Sequence, residues 1–136
     1  MIKVFYFKRE DSRYIDDLMW RLGNKAVGMM DYEKNKNEII NSILEKFNSD
    51  GYELVAEVDS SDLEIAYAHL QNGVHTESWD KEPTKIVKPI IGTLTFNNKV
   101  YGNRSSMMGD IYQTDDGALH IVSAIGFKQI KEGEHV

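Results

Sequence analysis

The segment Arg104-Ser105-Ser106-Met107-Met108-Gly109-Asp110-Ile111, followed by Asp115-Asp116-Gly117 and then Gly126-Phe127-Lys128, constrains the fold more than any other stretch. It reads as a complete small structural unit. A polar Arg/Ser turn leads into a strand at Asp110–Gln113, and Asp-Gly marks a tight hairpin turn. The return strand is expected over Ala118–Ile125, closed by Gly126-Phe127. The result is a C-terminal β-hairpin.

The rest of the chain supplies helices and further strands. Ile2–Phe7 alternates aliphatic and aromatic residues on both faces, as suits a buried strand. Tyr14, Ile15, Leu18, Met19 and Leu22 recur at helical spacing within Glu10–Leu22, and Gly23-Asn24 is the expected stop. Lys25–Met30 reads as a connection. A clearer helix runs from Tyr32 to Phe47, with Ile39, Ile40, Ile43, Leu44 and Phe47 as its apolar stripe. In the strand that follows, alternation puts Tyr52, Leu54, Ala56 and Val58 on one face. Ser61-Asp62-Leu63-Glu64 fits a capping box opening a short helix that buries Leu63, Ala66, Tyr67 and Leu70 before Asn72-Gly73. Val74–Pro89 is irregular, Ile90–Phe96 is β-prone, and Asn97-Asn98 turns into Val100-Tyr101. Together these predict an α+β fold: a mainly antiparallel sheet with two to three helices packed on one face. One domain spans residues 1–136, with 131–136 as a flexible tail.

Composition excludes several classes. The apolar fraction of 41% and charged fraction of 28% are those of an ordinary globular chain. The absence of cysteine rules out disulfides and cysteine-based zinc or redox chemistry. No run is long and apolar enough for a membrane span or a signal peptide, so a cytoplasmic protein is expected. A net charge of −6, with 22 acidic residues scattered among 16 basic ones, argues against direct nucleic-acid binding.

The Arg104–Lys128 segment resembles the C-terminal signature of small phage- and plasmid-encoded domains of the YodL-like kind. Their pattern is an R-S-x-S-[MV]-G-D-[IV] turn, a hairpin and a G-F ending, and the likeness covers about the last thirty residues. This chain departs from the pattern at Met107, where the family carries a second serine. The resemblance implies an architecture and a mobile-element origin. No established activity comes with it.

Two stretches are candidate binding sites. Arg104, Ser105 and Ser106 offer a guanidinium fork and hydroxyls that suit an anion, with Tyr101 beside them. The competing reading is a structural turn, in which Arg104 pairs with a carboxylate and a serine caps the backbone. His75 and Trp79 lie in the irregular loop, where Trp79 either stacks on a base, anchors a partner or folds inward. His69, His75, His120 and His135 show no metal-ligand spacing, so no metal or other cofactor is expected. Neither a nucleophile elbow nor a serine with a neighbouring base is present, and the sharpest enzymatic pairing, His120 with Arg104, has no support in spacing. The chain is therefore expected not to be an enzyme. The leading expectation is a mobile-element accessory protein that binds a host protein, and inhibits or redirects it. The alternative is a small-molecule binder that sequesters a nucleotide immune signal. Ile2–Phe7, Ile90–Phe96 and the Met29-Met30 region carry more large apolar residues than a small one-layer sheet buries, which further predicts a homodimer.

Overall fold

The computed structural model describes residues 1–23, 29–71, 84, 86–90, 94–96, 99–101, 104–123 and 126–133. Its elements in chain order are β1 (Ile2–Phe7), α1 (Ser12–Gly23), α2 (Met29–Asn48), β2 (Tyr52–Val58), α3 (Leu63–His69), β3 (Val87–Pro89), β4 (Leu94–Phe96), β5 (Lys99–Tyr101), β6 (Ile111–Gln113), β7 (Leu119–Val122) and β8 (Phe127–Lys131). A 3₁₀ turn at Arg9–Asp11 leads into α1. Six strands form one sheet in the order β3-β2-β1-β6-β7-β8, and all its neighbours are antiparallel. β4 and β5 pair separately, and the expected Asn97-Asn98 turn between them lies outside the described residues.

β1 is central because it is apolar on both faces. Ile2, Val4 and Tyr6 point into one core cluster, while Phe5 and Phe7 point into the other. The α+β class and the antiparallel sheet are as the periodicity predicts. Two helices share a face as expected: Ile15, Leu18, Met19 and Leu22 of α1 pack with Ile39 and Ile43 of α2 against Phe7, Ile111 and Ile121. The third helix covers the other face, where Ala66 and Leu70 of α3 meet Ile2, Val4 and Tyr112. A strand apolar on both sides needs cover on both sides, so the layering is helix, sheet, helix.

Several boundaries differ from the sequence reading, each for a local reason. β2 does not alternate strictly. Val4 pairs with Ala56 and Phe5 with Leu54, which leaves Val55 as an inserted bulge residue. Beyond it the faces exchange, so Tyr52 joins the α1/α2 cluster while Ala56 and Val58 join the α3 cluster. The cap of α3 is Asp62, not Ser61. With extended backbone (φ −99°, ψ 117°), Asp62 accepts from the N–H groups of Glu64 and Ile65 at 2.9 and 3.2 Å. α2 opens at Met29 instead of Tyr32.

The expected return strand 118–125 is shorter, and a further edge strand, β8, follows it. Gly126 takes φ 71°, and its carbonyl accepts from the Ser123 N–H (2.8 Å) and Oγ (2.9 Å), which turns the chain back. Lys131 therefore ends β8 and does not begin a tail. Within the stretch read as irregular, Val87–Pro89 pairs with β2 at the sheet margin, where a proline's missing N–H is tolerated. Among the described residues, no helix is long and apolar enough to cross a membrane.

Candidate binding site

The Arg/Ser turn builds the densest polar cluster of the described chain, centred on a carboxylate. Asp110 is wholly buried, and Arg104 grips it end-on: Nη2 donates to Oδ1 at 2.7 Å and Nη1 to Oδ2 at 2.8 Å. Oδ2 also accepts from the Met107 N–H (2.8 Å) and the Ser106 hydroxyl (3.2 Å). Ser106 in turn accepts from the Tyr112 hydroxyl at 2.8 Å. The four donors compensate a charge that burial alone would not tolerate. Burial pushes the Asp110 carboxyl up from its ordinary value, and the Arg104 fork, the Met107 N–H and Ser106 pull against that. For Arg104, burial disfavours the charge, but its hydrogen bonds and attraction to Asp110 outweigh this and raise it.

The cluster ties distant elements together. The Ser106 N–H donates to the Leu70 carbonyl at 3.2 Å, and Gln71 Nε2 donates to the Ser106 carbonyl at 3.0 Å, which fastens the end of α3. Tyr6 of β1 donates to the Arg104 carbonyl at 3.0 Å, and Tyr52 of β2 donates to the Gly109 carbonyl at 2.7 Å. Burial raises Tyr6, Tyr52 and Tyr112 above the ordinary phenol value, so all three stay protonated donors. Gly109 sits at φ 102°, and a Cβ there would lie 2.7 Å from Ile15 Cγ2. Both the backbone and the space at that position require glycine.

The sequence candidates thus divide. Arg104 and Ser106 come together in one network, and Ser105 joins it through its carbonyl, which accepts from Arg104 Nη1 at 3.1 Å. Tyr101 lies in β5, paired with Leu94. Trp79 and His75 fall outside the described residues. The geometry is that of the structural turn, with one difference: Asp110, not a serine, caps the backbone. The sequence did carry a signal for Asp110, a carboxylate six residues after Arg104 across a Ser/Gly turn. Nothing in the spacing pointed to the three phenols, which come from separate strands.

A second polar surface lies at the other end of β1. Met1, Ile2, Ser61, Leu63, Thr114, Asp115, Asp116 and His120 line a shallow cavity of ≈ 490 Å³. Asp116 is held in the hairpin by the Thr114 hydroxyl (2.5 Å) and the Ala118 N–H (3.0 Å), and Asp115 pairs with the Met1 ammonium at 2.8 Å. Arg104 is bound to Asp110 and lies over Tyr6 and Phe7, whereas His120 lines this cavity. Among the described residues, no three His, Asp or Glu gather as a metal site.

Burial lowers His120 below 6.5, against the opposing pull of Asp116. A histidine lowered in the folded state contributes stability above its unfolded value, and that stability is lost as pH falls through its folded value. Wild type should therefore lose stability relative to His120→Gln between pH 7.5 and pH 5, measured by urea midpoints. Parallel pH profiles would show that His120 titrates as in the unfolded chain.

No protein-family model, curated protein or solved structure matches the chain.

Proposed function

We propose that the chain is a non-catalytic accessory protein of a phage or other mobile element that docks on a host protein, and inhibits or redirects it, in the host cytoplasm. The observation that carries this reading is Trp20. Its neighbours Leu18, Met19 and Leu22 anchor α1 in the core, yet the indole itself is 67% exposed. Arg13, Asp16, Asp17 and Arg21 are also exposed on α1. α1 thus presents an indole within a polar rim, the arrangement typical of an interface anchor. Covering an indole exposed to that degree is worth about 3 kcal/mol of apolar burial. The mobile-element origin rests on the resemblance of the Arg104–Lys128 segment.

The alternative, a binder that sequesters a nucleotide signal, has less support. Its phosphate anchor would be Arg104, whose end-on fork is already committed to Asp110, so that only the side-on edge is left to hold a phosphate. Among the described residues, no aromatic face for a base is placed beside it other than Tyr6 and Phe7.

Trp20→Ala tests the docking reading. Stability should change by no more than about 0.5 kcal/mol, as for surface positions that make no special contact. A host polypeptide that copurifies with the wild type should be lost from the variant. Equal recovery on both would place docking elsewhere. A phosphorylated metabolite released from the purified protein, with no polypeptide, would favour the alternative.

A further inference from the structure

A guanidinium carries five N–H donors in one plane. In Arg104, Nη1 donates to the Ser105 carbonyl and to Asp110 Oδ2, and Nη2 donates to Asp110 Oδ1. The Nε hydrogen and the second Nη2 hydrogen remain. In a planar guanidinium these two point the same way, as a side-on fork. Neither has a partner among the described residues. The guanidinium carbon lies 4.0 Å from the Tyr6 ring centroid and 4.7 Å from that of Phe7, so the cation rests over two aromatic rings. The side chain is nevertheless 36% exposed. With its end on Asp110, the hydrogen bonds among the described residues leave the Nε–Nη2 edge uncommitted.

We propose that this edge is an oxyanion-binding site, taking a phosphate or carboxylate group in two-point geometry. Two features suit it to that role. Asp110 and the two rings hold the fork in place before any ligand arrives, so little side-chain freedom is lost on binding. Asp110, wholly buried, takes the adjoining Nη1–Nη2 edge, so the side-on edge is left with the Nε hydrogen and the second Nη2 hydrogen as donors. The site is independent of docking through Trp20.

The test uses the Nε–H resonances of the intact chain in ¹H–¹⁵N NMR spectra. The Arg104 signal is the one missing from Arg104→Lys. If that variant does not fold, the signal is assigned in the wild type by its contacts with the Tyr6 and Phe7 rings. Sodium phosphate and sodium acetate are titrated separately, against sodium chloride at matched ionic strength. The Arg104 Nε–H should shift and saturate with at least one oxyanion, while exposed Arg9, Arg13 and Arg21 follow chloride. Saturation by phosphate alone identifies a phosphate-bearing ligand, and saturation by acetate alone a carboxylate. No saturation with either, or a shift that chloride reproduces, overturns the proposal.

Discussion

Arg104→Ala should destabilise the protein by about 3–5 kcal/mol, the usual cost of removing one partner from a buried ion pair. The cost comes from what stays behind. Asp110 is wholly buried, so without Arg104 its carboxylate keeps only the Met107 N–H and the Ser106 hydroxyl as donors. The converse change should be milder. In Asp110→Asn an oxygen still accepts from Met107 and Ser106, and the released guanidinium, 36% exposed, can turn to water. Arg104→Ala should therefore cost more than Asp110→Asn, and the two should be strongly non-additive in a double-mutant cycle, because they share one network. Arg104→Lys should fall between them and the wild type, since an ammonium supplies charge without the end-on fork. Urea denaturation of the three single variants and the double mutant measures all of this. Costs below about 0.5 kcal/mol for both single alanine and asparagine changes would show that the pair is solvated and that the turn is held by its backbone alone.

How far the sequence disclosed this cluster follows from which contacts are local. Arg104, Ser106, Gly109 and Asp110 lie within one turn, so their residue types already suggest an arginine–carboxylate lock, without singling out Asp110 as the partner. Tyr6, Tyr52 and Tyr112 reach the same point from three strands, and only the sheet order brings them there. The helices were legible because the stripes of α1 and α2 repeat over several turns. The placement of α3 was not, since a seven-residue helix shows which side is apolar but not which sheet face it covers. Val55 illustrates a different limit. An inserted residue within an apolar strand leaves the hydrophobic pattern intact, while it exchanges the faces on either side. The edge strand β8 was hidden by its composition. Phe127-Lys128-Gln129-Ile130-Lys131 places lysines at a sheet margin, where charge discourages pairing with other chains, and Lys131 at its charged end reads as the start of the tail.

Ile43→Ala should cost about 2–5 kcal/mol, through lost burial and the cavity it leaves. Ile43 is fully buried in the cluster that joins α1 and α2 to the sheet, so truncation removes three carbons from a site closed to water. The upper half of the range is expected because the surroundings cannot easily collapse. One turn on, Phe47 is fixed edge-on against Phe5, with centroids 4.9 Å apart, and tilted against Tyr52 at 5.9 Å. Tyr52 is itself tethered to the Gly109 carbonyl. Aromatic rings held at such angles do not slide into a void without losing their own contacts. Ile40, only partly buried beside the same cluster, is the internal comparison and should lose less on the same truncation. In urea, the Ile43→Ala midpoint should fall with little change in the slope of the transition, the sign of altered stability with the same surface exposed on unfolding. An unchanged midpoint would mean that α2 does not lie against the sheet, and that its apolar stripe is instead available to a partner.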